Sequence, residues 1–192
     1  MFNLLVITIF LFIITNIDDL VVLIAFSGHP SFASREILIG QVLGFGVLVG
    51  VSIIGGVTIS LYLSEYVRWF GILPIIVGIL WYKDIRLIKH SPLYDEYGVE
   101  TTSQRRIGLV AVIGIINGSD NVSLYVPFFA LIGTLESVTV IILFMLLALV
   151  WVLFAQWLSR RPLLASKLNE NVNIVLPIVL ICIGSFIILD IT

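Results

Sequence analysis

Charge is what this chain has least of. Lysine, arginine, aspartate and glutamate make up 11% of its 192 residues, while 60% are hydrophobic and the mean hydropathy is +1.19. A soluble domain of this length cannot keep so much apolar surface from water, and the scarcity of charge excludes one. Cysteine is almost missing too, with the single thiol of Cys182 set in an apolar run. One thiol excludes an internal disulfide and a Cys-x-x-Cys redox pair. A net charge of −2 offers no basic surface to a nucleic acid. There is no G-x-x-x-x-G-K-[ST] phosphate loop and no loop long enough for an ATPase domain, which excludes a nucleotide-driven pump and leaves no cofactor implied. The first apolar segment starts at Phe2 without the basic leader of a signal peptide, so it reads as a retained helix.

What the chain does have is apolar length. A helix needs about 20 residues to cross a hydrocarbon core of about 30 Å. Hydropathy places six such spans near 2–26, 37–62, 67–88, 107–132, 137–158 and 172–191. The expectation is an all-α integral membrane protein, one transport domain over 1–192. It divides into a first repeat over about 1–90, a linker over about 89–106 and a second repeat over about 107–192. With six spans, nine of the ten basic residues fall on one side, leaving only Arg68 opposite. Positive loops stay cytoplasmic, so both termini are expected outside and the linker inside.

Two polar clusters interrupt the apolar runs. Asn16, Asp18 and Asp19 lie in span one, and Asn117, Asp120 and Asn121 lie in span four. Aligning Asn16 with Asn117 brings Asp19 onto Asp120 at the same offset of 101. Pro74 in "GILPIIVGIL" falls on Pro177 in "NIVLPIVLICIG", and Glu36 answers to Glu136 near the starts of spans two and five. Three spans per repeat force the second copy to enter the membrane upside down. Transporters built from such inverted repeats hold substrate near the midplane where the repeats meet, often on broken helices.

A charged aspartate at bilayer depth costs about 2.5–3.5 kcal/mol on insertion scales. Three of them need water, protons or a cation. Carboxylate and amide oxygens suit hard or intermediate divalent cations. Asp18 and Asp19 stand about 100° apart on an ideal helix, so both reach one ion only where the helix unwinds. Gly118 marks a place where the second helix can loosen and free backbone carbonyls, which is tolerated only facing a cavity.

Other residues carry blander expectations. Gln41 and Gln156 read as interhelical hydrogen-bonders, with lining of a permeation path as the alternative for either. Cys182 and Met145 read as packing, and His29 in "SGHPSF" as an ordinary loop residue rather than an ion catcher. Glu36 and Glu136 read as helix-start carboxylates. The glycines of span two, at 40, 44, 46, 50, 55 and 56, read as a close-packing face.

On "TNIDDL" (15–20), "GQVLGF" (40–45), "GILPIIVGI" (71–79) and "NGSDNVSLYVPFF" (117–129), the chain resembles the CadD-type cadmium-resistance transporters of the LysE superfamily. The resemblance implies a protein of the bacterial cytoplasmic membrane that exports toxic divalent metal, cadmium foremost. The departure from strict repeat symmetry is Ser119, where the second half would repeat Asp18. Expelling a divalent cation against about 100 mV costs about 4.6 kcal/mol, and exchange for two or more protons cancels that charge movement. The expected partners are thus a divalent metal ion, protons and the bilayer; a homodimer suits a chain of this size. Rivals are an exporter of another divalent cation or of a cationic organic solute, a channel, a structural subunit, and an intramembrane aspartyl protease. Against the last, Asp120 sits in Gly-Ser-Asp rather than Gly-x-Gly-Asp, and Asp18 lacks a preceding tyrosine.

Overall fold

A computed structural model describes residues 2–62 and 102–161, together with Ile72, Ile75, Ile76, Ile79, Ile181, Cys182 and Ser185. The described residues form six helices and no strand: α1 (Phe2–Thr15), α2 (Ile17–Gly28), α3 (Ser34–Tyr62), α4 (Ser103–Asn117), α5 (Asn121–Leu131) and α6 (Thr134–Ser159). Two of them, α3 and α6, are each long and apolar enough to cross a membrane. The pairs α1–α2 and α4–α5 pass the same test as bent units, which makes up to four spans. The expected spans at 67–88 and 172–191, the pairing of Pro74 with Pro177 and most of the linker lie outside the described residues.

Spans one and four are therefore not single helices, as their hydropathy suggested. Each is two half-helices joined at its polar cluster, bent by 57° at the first and 74° at the second. At the first, side chains add bonds to the carbonyls of the last turn of α1, where Phe12 O still takes the backbone N–H of Asn16 (3.0 Å). Thr15 Oγ1 donates to Leu11 O (2.9 Å) and Asn16 Nδ2 to Phe12 O (2.8 Å). Asn16 leaves the helix at φ −110°, ψ 15°, and α2 restarts with Asp18 and Asp19 in its first turn, where the helix dipole favours negative charge. At the second, Ser119 Oγ donates to Ile116 O (2.8 Å) and Ser123 Oγ to Asp120 O (2.6 Å), closing the turn between α4 and α5. Gly118 serves this turn by close approach: a Cβ there would stand 2.6 Å from Leu48 Cδ1 on α3.

Packing is reciprocal. The unbroken α3 runs along α4 and α5, and the unbroken α6 runs along α1 and α2. Glycine sets the first of these distances. A Cβ on Gly40 or Gly44 would come within 2.7 Å of the backbone oxygens of Ile107 or Ala111, and one on Gly56 within 2.9 Å of Val126 O. Gly46 and Gly50 face open space, so only part of the expected glycine face makes contacts. Glu36 and Glu136 behave as expected of helix-start carboxylates, accepting from Ala33 N (2.9 Å) and Gly133 N (3.0 Å). Glu36 also takes a two-pronged bond from Arg106 at the start of α4, through Nε (2.8 Å) and Nη2 (2.7 Å). Gln156 joins α6 to α3 by donating to Ser34 O (3.1 Å).

The interior falls into two apolar clusters. One is aromatic, with Phe12, Phe45, Tyr125, Phe129 and Phe144 drawn from α1, α3, α5 and α6. The other is mainly aliphatic, with Leu20, Leu23, Ile37, Val110, Ile113 and Val152 from α2, α3, α4 and α6. Trp151 packs against both. The helix breaks therefore lie between two dry layers.

The glycine contacts predict a contrast between two neighbours on one helix. Gly44→Ala forces α3 off α4 and should cost about 1–3 kcal/mol, as overpacking does. Gly50→Ala meets nothing and should leave stability unchanged or slightly raised. Thermal unfolding in detergent, followed by tryptophan fluorescence, separates the two.

Candidate functional site

The two breaks meet. Asn117, the last residue of α4, points its amide nitrogen at both carboxylates of the other break, 3.0 Å from Asp18 Oδ2 and 2.6 Å from Asp19 Oδ1. From α3, Gln41 Nε2 donates to Asp19 Oδ2 at 3.3 Å. Asp18 and Asp19 are buried, 6% and 2% exposed, so these donors replace water. Asp120 stands within Coulombic reach of both.

The three carboxylates are not equally satisfied. Both oxygens of Asp19 accept a hydrogen bond. Asp18 Oδ1 and both oxygens of Asp120 are buried with no partner, and so is Asn121 Nδ2. Asp120 occupies the N-cap position of α5, yet its side chain makes no capping bond. A buried carboxylate oxygen without a donor is costly, and this is the electrostatic feature a cation or a proton would relieve. Among the described residues no three His, Cys, Asp or Glu side chains stand together as ready ligands for one ion. A cation at this level must therefore draw on amide or backbone oxygens as well.

Each residue expected at the site can now be placed. Asn117 is in direct contact with Asp18 and Asp19, and Asp120 lies at the other break, at the N-cap of α5. Asn117 presents N–H to the carboxylates; to offer its oxygen to an ion in the same place it must turn about its last torsion. Asn16 spends its N–H groups on the break itself, donating to Phe12 O, Thr15 Oγ1 (2.9 Å) and Tyr125 Oη (2.9 Å). Its backbone carbonyl accepts the indole N–H of Trp151 at 2.7 Å. Asn121 is buried at the start of α5 beside the turn at Gly118. His29 accepts from Ser31 N through Nδ1 (3.2 Å), in keeping with a loop role, and Cys182 is exposed.

Sequence reasoning missed Tyr125 and Trp151. The Tyr125 hydroxyl, fully buried, lies 2.7 Å from Thr15 Oγ1 and ties α5 to the first break. The one available clue was a tyrosine and a tryptophan inside apolar spans, since buried phenol and indole groups need a polar partner.

Apolar helices of membrane-spanning length, two pairs of them bent at polar clusters, define a multi-pass membrane protein, and broken helices of this kind recur in transporters. Comparison with known families agrees. Residues 12–192 match the family described as cadmium resistance transporter, and the chain belongs to that family. No curated protein and no solved structure gives a match. The family is one of transporters, not of enzymes, which removes the aspartyl protease.

Removing the phenol oxygen should loosen the first break. Tyr125→Phe is expected to cost about 1–2 kcal/mol, the range for a buried hydrogen bond lost from one side. Thr15→Val in the same background should cost less than it does alone, because the two hydroxyls share one interaction. A double-mutant cycle of thermal stabilities checks this.

Proposed function

We propose that the protein exports divalent heavy-metal cations, cadmium foremost, by exchange for protons at the meeting point of the two breaks. The observation that carries this is the set of buried, unpartnered carboxylate oxygens on Asp18 and Asp120, held on opposite half-helices. Membership of the cadmium resistance family points to metal efflux and so to the class of cargo. Asn16, Asn117 and Asn121 supply amides around the acids; together with Asp18, Asp19 and Asp120 they form the proposed binding set. α1 ends at Thr15 and α4 at Asn117, and the carbonyl end of a helix dipole favours a positive charge.

Protons enter by necessity of charge. When the cation leaves, the carboxylates are again unanswered in a dry layer, and protonation is the cheapest way to return them. Two protons in for one divalent cation out moves no net charge. The supporting topology is a six-span inverted repeat of the bacterial cytoplasmic membrane, with both termini outside. The reciprocal packing of α3 on α4–α5 and α6 on α1–α2 is what two inverted copies would produce. A homodimer remains compatible with the chain's size.

A second reading keeps the mechanism and changes the ion. The donors at the breaks are all oxygens, and an oxygen set favours harder cations such as manganese or calcium over cadmium.

Inside-out vesicles under an imposed pH gradient test both readings. Wild-type protein should accumulate cadmium, and Asp120→Asn should fall to the level of empty vesicles. Collapsing the proton gradient with the voltage held fixed should stop uptake; unchanged uptake would rule out proton exchange. Uptake of manganese or calcium in place of cadmium would select the second reading.

A further inference from the structure

The acids are treated differently by the helices around them, and the difference traces to one side chain on α3. Gln41 is buried, 4% exposed, and one of its amide hydrogens goes to Asp19 Oδ2. Its place is built from both sides. Gly40 and Gly44, just before it and one turn after it, let α3 touch the backbone of α4. Gly114 on α4 leaves room for the far end of the amide, since a Cβ there would stand 2.9 Å from Gln41 Oε1. The amide is thus seated between Gly114 and Asp19. With Asn117 on the other oxygen, Asp19 is answered on both sides, whereas Asp18 keeps one orphaned oxygen and Asp120 two.

We propose that Gln41 is a positioning residue that holds Asp19 out of the cation's coordination sphere, leaving Asp18 and Asp120 as the carboxylates that take the ion. This rests on the cation reading above. The offset of 100 that relates Glu36 to Glu136 puts Ile141 opposite Gln41, and among the described residues only the first break has such a holder. The site is therefore one-sided: it offers two carboxylates with unpartnered oxygens rather than three, which sets how much positive charge it neutralises and how many further oxygens an ion must find.

The test is linkage between cation binding and stability in the purified full-length protein. Gln41→Leu leaves Asp19 Oδ2 without its donor, and a bound cation then recovers that loss. Cadmium should bind about tenfold or more tightly than to wild type, the scale of a lost hydrogen bond to a charged group. The cadmium-induced rise in Tm should be larger, while the metal-free Tm falls. A merely structural glutamine would lower Tm equally with and without cadmium. Gly114→Ala keeps Gln41 but crowds its Oε1 and so disturbs the seat from which Nε2 reaches Asp19; it should act in the same direction by less, and it tests the assignment if Gln41→Leu does not fold. A cadmium-induced rise in both variants equal to or smaller than in wild type would overturn the assignment. A wild-type Tm unmoved by cadmium, zinc, manganese and calcium alike would instead overturn the cation reading, and this inference with it.

Discussion

The amide nitrogen of Asn117 answers two carboxylates from another helix, at 3.0 and 2.6 Å, and the rest of the described structure depends on that bridge. An acid at this depth can be tolerated only if donors from protein replace water. The donors must come from across the bundle, because the first turns of α2 beside the acids carry no donor side chain of their own. The second break has therefore to lie at the level of the first. Asp18 and Asp19 are neighbours in the first turn of α2, and Asn117 answers both because α4 ends against that turn. Breaking both helices solves the geometry and brings two half-helix N-termini, favourable to acids, to one level.

The surrounding packing keeps that level dry and fixed. Five aromatic side chains lock together on one side of the breaks, with Phe12 and Phe45 edge to face at 5.5 Å and Tyr125 and Phe144 at 4.8 Å. Aliphatic side chains fill the other side. Tyr125 belongs to the aromatic layer and also reaches Thr15 and Asn16, so its phenol couples apolar packing to the polar break. Glycines on α3 set the separation from α4 and so place Gln41 against Asp19. The two halves are alike in plan and unlike in charge. Glu36 and Glu136 cap their helices in the same way, but among the described residues only Glu36 has an arginine, and Leu5 stands at the position that the offset of 101 relates to Arg106.

Much of this was legible in the order of residues. Acids cannot be hidden in an apolar run without a reason, so the clusters at Asn16–Asp19 and Asn117–Asn121 announced themselves, and their equal offset tied them together. The roles of Glu36 and Glu136 followed from their places at helix starts, because capping is a local interaction. The breaks were legible only as an option. Hydropathy averages over a window and reads Thr-Asn and Asn-Gly-Ser as part of a span, while the bend comes from hydroxyl and amide groups competing for the last carbonyls.

What the sequence by itself determined is the class: too little charge for water, apolar runs of spanning length, and acids that must face an inside. The tertiary structure decided which donor answers which acid. Asn117 gives its N–H rather than its oxygen, Asn16 serves the break, Tyr125 and Trp151 brace it, and Gln41 holds Asp19 while Asp18 and Asp120 keep unpaired oxygens. These pairings join residues 22 to 135 positions apart. Hydrophobicity is a property of each residue and adds along the chain. A hydrogen bond is directional and needs its two groups within about 3 Å, which no spacing along the chain can specify.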